Sequence, residues 1–301
     1  MKQLRMVLAI ALAVGACSKK PAPAVDTGSG SGAPTAVVVA ADAAEVVVDA
    51  AAAVTGPVDA PTSGPIPLYT PAASTPDAIK AAVTATDRTD DDRRLDAGRK
   101  PAEVLAFFGV APGQKIGELF AGGGYTSELL ARVVGEKGAL YAENTKELMD
   151  KFIRAPWIDR MTHPAMAHVT GVELPIDAPF PAEAKDLDAV ITILNYHDVS
   201  LLGADPAKMN AAVFAALKKG GVYGIVDSSA QAGSGRRDSD SFHRIDEALV
   251  TKEVEAAGFK LAASSDVLRN PGDKRDWSSS PKAAGERRGT SDRFVLKFVK
   301  P

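Results

Sequence analysis

The run from Lys115 to Leu130, KIGELFAGGGYTSELL, constrains the fold more than any other stretch of this chain. It predicts a buried strand carrying Glu118, a glycine turn at Gly122, Gly123 and Gly124, and a helix starting near Tyr125. A strand that passes through glycines into a helix brings a ligand against bare backbone amides and the positive end of the helix dipole. About twenty residues later a second short strand, Ala139 to Glu143, ends in an acid. A carboxylate so placed can accept both hydroxyls of a ribose. Together the two features imply an adenosine-containing ligand on an open α/β sheet.

Two cofactor classes compete for that turn. A dinucleotide turn has the pattern G-x-G-x-x-G, whose last glycine lets helix and strand pack tightly. Gly122 and Gly124 fill its first two positions, but Ser127 stands at the third. The turn also resembles the first motif of class I S-adenosylmethionine-dependent methyltransferases, an acid followed by alternate glycines. Glu118, Gly122 and Gly124 carry that resemblance, with Phe120 in place of the first glycine.

Composition shifts near residue 75. Before it Ala, Val, Pro, Gly, Ser and Thr dominate; after it charges, aromatics and periodic patterns set in. The folded region is therefore expected over 76–301, roughly 225 residues, ample for a core. Net charge is −3, and Lys2, Arg5, Lys19 and Lys20 are the only charges among the first twenty residues, so the remainder carries −7. Such a balance lacks the basic footprint of a nucleic-acid partner, and none is expected. The single cysteine, Cys17, excludes an intrachain disulfide and a cysteine zinc site. His163, His168, His197 and His243 lack the H-E-x-x-H spacing, so no metal ligand is assigned.

The amino-terminal seventeen residues read as an export signal. Lys2 and Arg5 precede the apolar run Met6 to Val14, which is too short to span a bilayer. The ending Val14-Gly15-Ala16-Cys17 resembles a bacterial lipobox, which implies lipidation at Cys17 and an anchor in the cell envelope, facing the periplasm. Residues 18–75 read as a proline-punctuated, low-complexity tether, with a typical reach of ~40 Å.

Within 76–301, Asp87 to Asp96 is a dense charge run that reads as a solvated helix face. Pro101 suits the first position of a helix ending at Phe108. A helix over about Lys146 to Arg154 precedes a third strand, Ala167 to Val172, which ends at Glu173. The fourth strand, Leu187 to Leu194, is apolar throughout, as a central parallel strand requires, and delivers Asn195-Tyr196-His197-Asp198 at its carboxyl end. Ligands on open α/β sheets bind at such ends. Asp205-Pro206 opens a helix with Met209, Val213 and Leu217 on its inner face. Strand five, Val222 to Val226, ends in Asp227. A helix from about Phe242 to Ala257 follows, then two closing strands, Phe259 to Leu268 and Arg293 to Val299. The alternation predicts a doubly wound, mostly parallel seven-stranded sheet. Trp277 lies among Arg269, Lys274, Arg275, Arg287 and Arg288, in either a lid over the substrate or a solvated cationic loop.

Several blocks together are similar to a family of bacterial predicted methyltransferases, many of which carry an export signal. They are Asp87-Arg88, Arg93-Arg94-Leu95-Asp96, Arg99-Lys100-Pro101, Ala121 to Tyr125, Asn195 to Asp198, Phe242 to Asp246, Leu268 to Pro271 and Arg293 to Pro301. The resemblance implies a class I methyltransferase sheet whose last strand is antiparallel, with S-adenosylmethionine as cofactor. It further implies that Glu118, Gly122, Gly123, Gly124 and Tyr125 hold the methionine part and Glu143 the ribose. Glu173 or Asp177 would flank the adenine, and Asn195 to Asp198 would line the transfer site. The acceptor is a small molecule or an envelope component.

Methyl transfer from a sulfonium needs the acceptor held on axis, and an oxygen or nitrogen acceptor also loses a proton. His197 is the candidate base because an unperturbed imidazole titrates near neutrality. Asp198 and Asp227 would orient it, and His243 is the second candidate. Two other readings stay open: a non-catalytic module that binds an adenosyl or other small ligand, and a nicotinamide oxidoreductase, against which Ser127 and the closing strands stand. Export opposes the methyltransferase reading, because S-adenosylmethionine is made in the cytosol.

Overall fold

The computed structural model describes residues 66–301; Cys17, the rest of the signal region and tether residues 18–65 lie outside the described residues. Three helices come first: α1 (Asp77–Val83), α2 (Asp90–Arg99) and α3 (Pro101–Phe108). Then follow β1 (Lys115–Leu119), α4 (Tyr125–Val134), β2 (Ala139–Asn144), α5 (Lys146–Leu148), a π-helical turn (Met149–Ile153), α6 (Arg154–Met161) and β3 (Val169–Glu173). The second half holds β4 (Leu187–Ile193), α7 (Pro206–Ala216), β5 (Leu217–Ser228), α8 (Ser239–Phe242), α9 (Glu247–Ala256), β6 (Lys260–Ser265), α10 (Pro281–Ala284) and β7 (Arg293–Val299).

The strands form one sheet in the order β3-β2-β1-β4-β5-β7-β6. All pairings are parallel except those of β7, which runs antiparallel to both β5 and β6. The expected doubly wound sheet with an antiparallel last strand is therefore present. The strand order reverses between β1 and β4, so their carboxyl ends open a crevice there. Helix α4 packs on β1 and β2, α3 on β7, α7 on β5 and α9 on β6. Gly224 on β5 faces Phe108 of α3; a methyl group there would come within 2.9 Å of the ring. Gly224→Ala is expected to cost about 1–3 kcal/mol by overpacking, read as a lower denaturation midpoint at unchanged slope.

Four local expectations are corrected. The helix after β2 does not stop at Arg154 but continues to Met161. Pro156 has no N–H to donate and its ring crowds the preceding turn; the wider π-turn immediately before α6 accommodates it. The helix expected from Phe242 starts instead at Glu247, where Asp246 caps it by accepting from Ala248 N. His243 sits outside it in left-handed backbone, φ 50°, as the C-cap of α8. The charge run at 87–96 is not a solvated face: Arg88, Asp92 and Asp96 are buried. Residues 66–75, assigned above to the tether, make contacts to the domain. The Tyr69 hydroxyl donates to Glu103 and accepts from Ala102 N at 3.0 Å. No helix among the described residues is long and apolar enough to cross a membrane.

Candidate functional site

A cavity of about 400 Å³ opens at the carboxyl ends of β1 and β4. Its volume falls within the ~300–1,000 Å³ of small-molecule sites. The glycine turn forms one side, α2 another, the end of β4 a third, and the segment 279–293 the fourth. Of the sequence-derived site residues, Glu118, Gly122, Gly123, Tyr125, Asn195, His197 and His243 line it.

Backbone strain gathers in the same place. Phe120, Leu194 and His243 have positive φ, at 54°, 63° and 50°, and all three line the cavity. A non-glycine residue in this region costs of order 1–3 kcal/mol and persists where its surroundings over-determine it. Phe120 explains its departure from the glycine motif: the backbone keeps the left-handed turn that glycine would adopt freely. Leu194 turns β4 into Asn195, whose Nδ2 donates to Ile193 O at 2.8 Å. The buried Asn195 Oδ1 accepts from no described residue.

The acids of the first two strands are held in low dielectric. Glu118 accepts from Ser127 Oγ at 2.5 Å. Burial raises its pKa to about 8, the serine hydroxyl opposing. Glu143 is fully buried and does not line the cavity; its Oε2 accepts from Phe120 N at 3.2 Å, while Oε1 has no hydrogen-bond partner among the described residues. Burial raises it likewise to about 8. Beside it, Asn144 Oδ1 accepts from Gly122 N at 2.8 Å and braces the turn.

Helix α2 is fastened down by ion pairs that its sequence does not announce. Arg88 forms a bidentate pair with Asp96 at 2.7 and 2.8 Å. The Tyr125 hydroxyl donates to the same carboxylate at 2.7 Å. Arg160 of α6 donates to both oxygens of Asp92, at 2.6 and 2.9 Å, to Glu128 of α4, and to Gly123 O at 3.2 Å. Its side chain fills the place a Cβ on Gly124 would need. Thus α2, the glycine turn, α4 and α6 are bound into one unit, and Arg94, Leu95 and Arg99 of α2 face the cavity.

The end of β4 brings four polar groups together. His197 N and Nδ1 each lie 2.9 Å from an oxygen of Asp227, so its ring is fixed by one carboxylate. Its Nε2 lies 3.3 Å from His243 Nδ1 and 3.2 Å from Asp198 Oδ1. The two rings meet edge-to-face, 5.3 Å between centroids. Burial disfavours charge on His197, but Asp198 and Asp227 outweigh it and raise its pKa to about 9. The neutral-pH base role rests on an unperturbed imidazole, whereas here the two carboxylates favour the protonated ring. Asp198 is pushed up to about 7 by burial.

The far wall is cationic. Arg94, Arg99, Arg288 and Arg293 all line the cavity. Arg293 is held down to about 10, chiefly by burial and then by Arg99 and Arg244; Arg288 likewise by burial and Arg293. The sequence reading missed these arginines as a group, because α2 and the 288–293 segment are remote in the chain. The loop around Trp277 is built rather than solvated: Trp277 Nε1 donates to Asp273, Arg244 stacks on its ring, and Arg275 pairs with Asp292.

The remaining candidates lie elsewhere. Glu173 is paired with Arg154 and Asp177 with Lys208, and neither lines the cavity. His163 accepts from Ala165 N, and His168 bonds Ala131 O.

No protein-family model and no curated protein matches the chain. Solved structures do. The chain is similar to the 4+2 cyclase SpnF, at 12% identity over 79% of this chain and 99% of that one, TM-score 0.51. It is similar also to an S-adenosylmethionine-dependent methyltransferase from Aquifex aeolicus, at 17% identity over 69% and 98%, TM-score 0.49. A third is the glycopeptide N-methyltransferase MtfA, at 16% over 69% and 96%, TM-score 0.45. With the strand order above, the chain has the class I methyltransferase fold. That fold also carries a cyclase, so it does not by itself name a reaction.

Proposed function

We propose that the cavity binds S-adenosylmethionine and that the protein transfers its methyl group to an anionic acceptor. The observation that carries this reading is where strain and unmet polar demand fall. Phe120 and Leu194 are held in left-handed backbone at the two strand ends of the topological switch point. Beside them, Asn195 Oδ1 is a buried acceptor without a donor among the described residues, on a residue that lines the cavity. An ammonium is a donor that such an acceptor takes, so Asn195 fits the methionine end of the cofactor.

When bound, S-adenosylmethionine supplies a methyl group on a sulfonium, ready for in-line displacement. The chain's own residues bind and orient. The Gly122–Gly124 turn and the start of α4 would hold the methionine part, and Glu143, behind Phe120, would brace the turn that contacts it. The wall formed by Arg94, Arg99, Arg288 and Arg293 would favour an acidic acceptor by its charge, hold it on axis and keep water out. Lipidation at Cys17 and an envelope acceptor belong to the same proposal.

Calorimetric titration of S-adenosylmethionine and S-adenosylhomocysteine into the full chain tests it. One-to-one micromolar binding that Asn195→Ala weakens is expected. No heat with folded protein would end the proposal. Binding without methyl transfer to any anionic acceptor would instead favour the non-catalytic module.

A further inference from the structure

We propose that His197, Asp198 and His243 form a binding site for a divalent first-row transition-metal ion, with Asp227 as the residue that positions His197. One ligand atom from each of the three lies within 4.8 Å of the others, and all three side chains are buried. The separations are 3.2 Å from His197 Nε2 to Asp198 Oδ1, 3.3 Å from His197 Nε2 to His243 Nδ1, and 3.8 Å from Asp198 Oδ1 to His243 Nδ1. Bonds of ~2.0–2.2 Å to one tetrahedral ion set ligand atoms ~3.3–3.6 Å apart. The triangle is therefore close to the size an ion needs without remodelling of the backbone.

Two further observations point to a ligand. Neither oxygen of Asp198 accepts a hydrogen bond from any described residue, although both are buried. A buried carboxylate so placed is costly unless a cation answers it. In addition, His197 Nδ1 lies 2.9 Å from Asp227 Oδ1, which holds the ring so that Nε2 points into the triangle. Metal-bound histidines have this carboxylate on their second nitrogen, where it sets tautomer and orientation. Two imidazoles and one carboxylate suit zinc, cobalt, manganese or iron and not magnesium or calcium, which take oxygen ligands.

His197 and His243 also line the cavity, whereas Asp198 and Asp227 do not. An ion at the triangle would have its protein ligands behind it and its open positions toward the cavity. Three ligands with an open position is the arrangement of reactive rather than purely structural sites. The site does not depend on the cavity taking S-adenosylmethionine. It draws together residues 46 positions apart, which is why no spacing in the sequence suggested it.

The test is titration of Co(II) into the chelator-stripped full chain, free of any affinity tag and without cofactor, followed by visible absorption and by displacement with Zn(II). One equivalent with a ligand-field band is expected. Asp198→Asn and His243→Ala should each weaken binding at least 100-fold. Asp227→Asn should weaken it about 10–100-fold while leaving the shape of the band intact, which a merely structural role would not do. Absence of stoichiometric Co(II) and Zn(II) uptake by the folded wild-type protein would overturn the site. Uptake unchanged in both ligand variants would overturn it equally.

Discussion

Replacing Arg160 with methionine should lower the melting temperature of the domain by about 10 °C. Arg160 is the hub between α2, the glycine turn and α4, bonded to Asp92, Glu128 and Gly123 O. Glu128 keeps a second partner in Arg132 at 2.8 Å, whereas Asp92 loses the guanidinium that holds both of its oxygens. A stranded buried charge costs about 3–5 kcal/mol, and a domain of this size loses ~2–4 °C per kcal/mol. Removing both charges, as in Arg160→Met with Asp92→Leu, should recover part of that loss, since a buried pair is often replaceable by apolar side chains. A single variant that melts within 2 °C of wild type would show that the pair is not held as described. A double variant no better than the single one would place the cost in lost packing against Gly124 instead.

The second large effect is a fall in stability as pH rises, measured by denaturant unfolding in chelator without cofactor. Glu118 and Glu143 have folded-state pKa values raised from 4.5 to about 8 by burial. Below 4.5 both states are protonated and the carboxyls do not oppose folding. Between about 4.5 and about 8 the unfolded chain releases protons that the folded chain keeps, so stability drops with each unit of pH. The slope is on the order of 1 kcal/mol per unit and per group. Carboxylates lowered against the opposing effect of burial, Asp188 by Lys218 and Asp273 by the backbone amides of Asp292 and Arg275, act only below about pH 4 and leave this window alone. Asp198 and His197, raised to about 7 and about 9, steepen the same fall, so Glu143→Gln should remove one group's share and the double variant with Glu118→Gln two. A profile equally steep in the double variant would mean that both acids are ionised in the folded protein.

Much of the sheet was legible because its strands announce themselves by composition. Leu187 to Ile193 is nearly continuous apolar sequence, and it lies in the middle of the sheet. The glycine turn was legible because positive φ at Gly122 and Gly124 leaves few other residues acceptable. What stayed hidden depends on partners distant in the chain. Asp92 and Asp96 look like a solvated face until Arg160, 68 residues on, and Tyr125 reach them. His243 was placed at a helix start because Phe242 to Ala257 is helix-like in composition, yet a left-handed residue splits the run. Glu143 was read as facing the ligand from its position at a strand end. The extra bend at Phe120 instead brings the backbone N–H of that residue over it.

The fastening of α2 also bears on the dynamics of ligand capture. In many sites one wall is a segment that orders only around its ligand, and the lost chain entropy is subtracted from the affinity. Here Asp92 and Asp96 tie that wall to α6, to Arg88 and to Tyr125 within the folded protein itself. The ordering belongs to folding rather than to binding. Association is then governed by how a ligand reaches the mouth of the cavity, and differences in affinity between ligands should reside in how fast they leave.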